Sequence, residues 1–130
     1  MFSKIEAFIL ASALLLGAAA PAAAAQWDLV GQWSAKVTCP NFSQTNIITI
    51  GQAGESKITG TTNVGDVFGK ITAGAFDGES FVFTNKYKFR GNSYTESWKG
   101  KLSNGGRTMR GSFTSTDPNV GRCTYRGSPT

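Results

Sequence analysis

The chain has no histidine, and this removes imidazole-activated nucleophiles and the usual zinc sites. Cysteine occurs only at Cys39 and Cys123, and a bonded pair supplies no metal ligands. Carboxylates are few and scattered. Most, including Asp66, Asp77 and Asp117, sit in turn-forming stretches where acidic residues are ordinary. No acid–base pair stands out, and no segment carries helical periodicity. These absences lead to the expectation of a protein that is not an enzyme and has no metal or cofactor.

Long apolar runs are also missing beyond the N-terminus. Lys4 precedes an apolar stretch from Ala7 to Leu16, and Pro21 leads to Ala23-Ala24-Ala25. That order predicts a secretory signal peptide over residues 1–25, cut at an A-x-A site. The stretch is shorter than the roughly 18–20 residues a membrane span needs. The expectation is an exported chain, periplasmic or extracellular and not membrane-spanning, whose residues 26–130 form one domain. Lys4 and Glu6 would leave together, so the net charge stays at +5. In an oxidising compartment the two cysteines predict one structural disulfide, Cys39–Cys123.

Short alternating segments separated by turn signals fill the rest, the pattern of an antiparallel sandwich or barrel. The predicted strands are Gln32–Cys39, Thr45–Ile50, Lys57–Thr62, Val67–Phe76, Ser80–Phe89, Ser93–Leu102, Arg107–Thr114 and Arg122–Gly127. Asp77-Gly78 and Asn104-Gly105-Gly106 are hairpin turns. Gly60, Gly69, Gly100 and Gly111 fall inside strands, where glycine marks tight curvature, and so favour a closed barrel. Cys39 ends the first strand and Cys123 begins the last, so antiparallel pairing of those strands would bring the sulfurs together. The fold class read from the sequence is therefore all-β: an eight-stranded antiparallel up-and-down β-barrel closed by one disulfide.

Leu29-Val30-Gly31-Gln32-Trp33 resembles the G-x-W opening of the calycin barrels, which include lipocalins and avidins. The lipocalin resemblance implies that Trp33 closes one barrel end beneath an arginine, here Arg126. Ile58-Thr59-Gly60-Thr61 and Trp98-Lys99-Gly100 look like avidin strands. The biotin-site residues are not matched: Thr62 stands where avidins carry a tyrosine, and Ala35 lies near the place of an asparagine. The periplasmic metalloprotease-inhibitor barrel is similar in size and opening, and inhibits through an N-terminal segment. That likeness implies a role for Gln26-Trp27-Asp28-Leu29, although that family's disulfide is placed differently.

Glu96 is the carboxylate that turn chemistry does not explain. Strand parity puts it on the apolar face between Tyr94 and Trp98, where an acid must be paired, hydrogen-bonded or protonated. It anchors a ligand there, unless it pairs with Arg107 or a bulge turns it outward. The aromatic stripe supplies the remaining candidate ligand-binding residues: Trp98, Tyr94, Phe83, Tyr87 and Phe113. An eight-stranded barrel is wide enough to be filled by side chains or to hold one small ligand. The function expected is a non-enzymatic module for a small hydrophobic or amphipathic ligand. The alternative is an enzyme-inhibitor or protein-interaction barrel acting through its N-terminal segment and loops such as Thr114–Gly121. The cations at Lys86, Lys88 and Arg90 alternate with aromatics and belong on outward faces. They suit an anionic envelope component rather than nucleic acid.

Overall fold

Alternation with a period of two gives each segment one apolar and one polar face, and such strands bury the apolar faces by closing on one another. The computed structural model describes residues 27–130. In it the strands run β1 (Gly31–Thr38), β2 (Ser43–Gln52), β3 (Lys57–Val64), β4 (Val67–Phe76), β5 (Ser80–Phe89), β6 (Asn92–Ser103), β7 (Thr108–Ser115) and β8 (Arg122–Pro129). Each is antiparallel to its neighbours in sequence order, and β1 pairs with both β2 and β8, so the barrel is closed and has no free edge. The signal-peptide reading of residues 1–25, and Gln26, lie outside the described residues.

All eight expected strands are present; β4 and β5 have the expected bounds, and the ends of the others shift. β2 begins at Ser43 and runs to Gln52, longer than the predicted Thr45–Ile50. β7 begins at Thr108 because Arg107 belongs to the preceding turn, its amide donating to Ser103 O at 3.2 Å. Cys39 lies one residue beyond β1. Thr38 pairs with Thr124, and the next step of that register sets Cys39 beside Cys123, bonded, with Cα atoms 4.3 Å apart.

Two irregularities bend the sheet at β4. The register shifts against β3 between Ile58 and Gly60, and against β5 between Thr72 and Ala75. Ala73 takes a left-handed conformation, φ 50°, in the second bulge. The extra residue changes the parity, so that Ile71 and Gly74, three apart, are both buried.

The interior is filled from one end only. Trp98 is the hub: its ring stacks on Phe113 at 4.2 Å and Phe83 at 5.2 Å, and tilts against Tyr125 at 4.7 Å. Gly100 and Gly111 face each other across β6 and β7, and their missing side chains leave the Tyr125 hydroxyl room to donate to Lys99 O at 2.8 Å. Burial drives the Tyr125 phenol pKa far up, which suits a hydroxyl that only donates.

The residues before β1 seal that filled end. The Trp33 indole donates to Leu29 O at 2.9 Å, and Leu29 is buried. Trp27 donates its amide to Gly78 O in the β4–β5 turn and lays its ring against Gly106 in the β6–β7 turn. One expectation changes here. Arg126 is exposed on the outer face of β8 opposite Lys36, so it does not cover the buried Trp33; Leu29 and Trp27 close this end. The Trp27–Leu29 segment is docked on its own barrel, and its apolar side chains are turned inward.

Candidate functional site

Four successive cross-strand pairs on the inner face of β5 and β6 show how the barrel changes from core to cavity. Phe83 pairs with Trp98, Asn85 with Glu96, Tyr87 with Tyr94 and Phe89 with Asn92. The first pair is buried core and the last lies at the opposite rim. Between them the interior is polar, and above it opens a cavity of about 560 Å³, within the ~300–1,000 Å³ range of small-molecule sites.

A hydrogen-bonded chain crosses the cavity floor. Thr62 Oγ1 on β3 donates to Asn85 Oδ1 at 3.0 Å. Asn85 Nδ2 donates to Glu96 Oε1 at 2.9 Å, and the Trp98 indole donates to the same oxygen at 2.9 Å. The step from β3 to β5 passes over β4 at Gly69, where any side chain would collide with both Thr62 and Asn85. On β2, Asn46 accepts from Gln44 Nε2 at 3.0 Å. Asn46, Thr62, Asn85 and Glu96 are all buried.

The wall is mixed. Phe42, Val64, Val67, Tyr87, Phe89 and Tyr94 give it apolar surface. The β7–β8 connection forms one side, and it is a hydrogen-bonded turn. Asp117 Oδ1 accepts the Asn119 amide at 2.9 Å, and Asp117 O accepts the amides of Val120 and Gly121. This turn carries Asp117, 5% exposed, and Val120 into the cavity lining. Tyr87 and Ser115 share a hydrogen bond of 3.0 Å across the mouth.

Glu96 faces inward, paired with Asn85 on one side and Ser115 on the other in unbroken registers, so no bulge turns it out. Arg107 lies at the filled end, in the turn between β6 and β7, and the structure removes it as a partner for Glu96. Among the described residues the one ion pair is Lys101–Glu79, on the outside at 3.7 Å. Burial raises the Glu96 pKa above the usual carboxylate range, opposed by the Asn85 and Trp98 hydrogen bonds. Burial also pushes Tyr87 up to about 12, against the Ser115 hydrogen bond.

Of the candidate residues named from sequence, Glu96, Tyr94 and Tyr87 line the cavity. Phe83, Trp98 and Phe113 do not; they are the stacked core beneath it, and Trp98 reaches the site only through its indole hydrogen bond. Their bulk fills the lower barrel and leaves no room for a ligand there. Asn46, Thr62 and Asn85 were missed as site residues. Parity could have found them: Asn46 alternates with Ile48 and Ile50, and Asn85 with Phe83 and Tyr87, polar groups at inward positions.

No protein family model, no curated protein and no solved structure matches the chain.

Proposed function

We propose that this protein is an exported binding module, not an enzyme, that holds one small amphipathic molecule in the open end of its barrel. The observation carrying this reading is the layered cavity: buried Asn46, Asn85 and Glu96 at the floor, aromatic and valine side chains above, and an outlet at the rim. Buried polar groups are costly unless partnered, and a ligand with a polar end directed inward partners them while its apolar body meets the wall. A disulfide is compatible with export, where the oxidising compartment keeps it formed. Titrating the protein with an environment-sensitive amphipathic dye, while following the dye's own fluorescence, tests the reading. Saturable one-site binding is expected. Failure of every such probe to bind would overturn it.

A second reading concerns the outer wall. Lys36, Arg126, Arg110 and Lys101 are direct cross-strand neighbours on β1, β8, β7 and β6, and all are exposed. Like charges placed opposite each other destabilise a sheet, so a basic row four strands wide favours contact with an anionic envelope polymer. Salt-sensitive retention on a polyuronate matrix, lost in an Arg110→Glu/Arg126→Glu variant, would support it. Equal retention of that variant would refute it.

A further inference from the structure

The charges of this protein are segregated. Every lysine and arginine among the described residues is exposed, yet the two buried carboxylates, Glu96 at 6% and Asp117 at 5% exposure, both line the one cavity described above. Arg90 is the cation on that cavity, and it sits at the rim with its guanidinium 5.0 Å from the centre of the Phe89 ring.

The hydrogen bonds to Glu96 gather on one of its two oxygens. Asn85 Nδ2 and the Trp98 indole both converge on Oε1, and the Thr62 hydroxyl is taken by Asn85. Among the described residues Oε2 has no hydrogen-bond partner. The groups that face Glu96 from each packed element supply no positive charge. They are Asn85 and Tyr87 on β5, Tyr94 and Trp98 on β6, Ser115 on β7 and Asp117 in the following turn, with neutral Asn46 and Thr62 on β2 and β3. A buried carboxylate oxygen left open toward a cavity is an acceptor without a donor. The next inward pair toward the mouth, Tyr87 with Tyr94, has ring centroids 5.5 Å apart, and aromatic faces beside a carboxylate attract alkylammonium groups.

Resting on the reading of the cavity as a ligand site, we infer that its ligand carries a cationic nitrogen head, an alkylammonium, seated on Glu96 Oε2 beneath the Tyr87–Tyr94 collar. The cation supplies the missing charge and donor together. Desolvation shifts Glu96 toward its protonated form, and a cation seated on it shifts it back toward the carboxylate.

The test uses the exported protein with three probes of equal chain length, hexylammonium, 1-hexanol and hexanoate, titrated calorimetrically at about pH 5 and about pH 8. Both values lie above the ordinary glutamate pKa of about 4.3, so a difference between them reports a carboxyl raised above that value. The ammonium probe should bind tightest, and more tightly at the higher pH, because a larger share of Glu96 is then ionised. Glu96→Gln should weaken it by about 10- to 100-fold, as for loss of a charge-assisted hydrogen bond, and by more than it weakens hexanol. The NMR signal of the Trp98 indole proton, which is bonded to Glu96, provides a readout in the unmutated protein. Its titration with pH should move to lower pH when the ammonium probe is present. If hexanol or hexanoate binds as tightly as the ammonium probe, or the indole titration does not move, the cation inference falls and the cavity reading stands. If none of the three binds, both fall.

Discussion

Gly69 on β4 lies against Asn85 on β5 so closely that a methyl group at position 69 would displace the Asn85 amide from its hydrogen bond with Thr62. The absence of one side chain on β4 lets polar groups on β3 and β5 meet across it. Gly69→Ala should therefore lower stability by about 1–3 kcal/mol, the usual cost of overpacking. It should also weaken binding of the amphipathic dye. Chemical denaturation and dye titration on the same variant check both effects. Stability unchanged within error would show that the floor is looser than its packing indicates.

Glu96 makes stability depend on pH in a defined direction. Its folded-state pKa lies above the ordinary glutamate value of 4.5 because of burial. The folded protein therefore holds that proton at pH values where the unfolded chain has lost it. The resulting stabilisation is complete below the unfolded pKa and is lost as pH rises through the raised folded one. Relative to Glu96→Gln, the native protein should lose about 1.4 kcal/mol for each unit of upward displacement. Denaturation of both proteins across this acid-to-neutral range measures the difference directly, and parallel curves would mean Glu96 is not desolvated.

The disulfide joins residues 84 apart in sequence. In the chain-entropy description, closing such a loop contributes about 4.5 kcal/mol. A Cys39→Ser/Cys123→Ser variant should lose about 2–5 kcal/mol, with the melting temperature falling accordingly. Free thiols in the folded protein would contradict the structural role.

Trp27 seals the filled end, and the cavity lies at the other. Trp27→Ala should destabilise the barrel, since its ring covers Gly106 and packs on the core, while dye binding at the open end stays the same. An inhibitor acting through its N-terminal segment would show the reverse: stability nearly unchanged and partner binding lost. Measuring melting temperature and dye affinity on this one variant separates the two roles.

Much of the architecture was legible in the residues. Hydrophobic alternation and turn chemistry are local, so Asp77-Gly78 and Asn104-Gly105-Gly106 mark hairpins without reference to the rest of the chain. Cys39 and Cys123 specify closure because ends of adjacent antiparallel strands must coincide. Parity alone also put Glu96 inside, since β6 runs through Tyr94, Glu96 and Trp98 without a bulge. The parity of β4 was not readable, because the bulge at Ala73 is a property of its pairing with β5, and an alanine in a left-handed conformation has no sequence signature.

What only the tertiary structure decided is which part of the barrel is full and which is open. Alternation places Phe83, Trp98 and Phe113 inward just as it places Tyr87 and Tyr94, and nothing local distinguishes a core ring from a cavity ring. The distinction arises from how strands of different register are staggered. That stagger sets three aromatic rings around Trp98 in the middle of the barrel, closes one end with Leu29 and Trp27, and brings Asn46, Thr62, Asn85 and Glu96 from β2, β3, β5 and β6 onto one floor. Residues far apart in sequence meet there because a closed sheet fixes their relative heights, and no segment carries that information by itself.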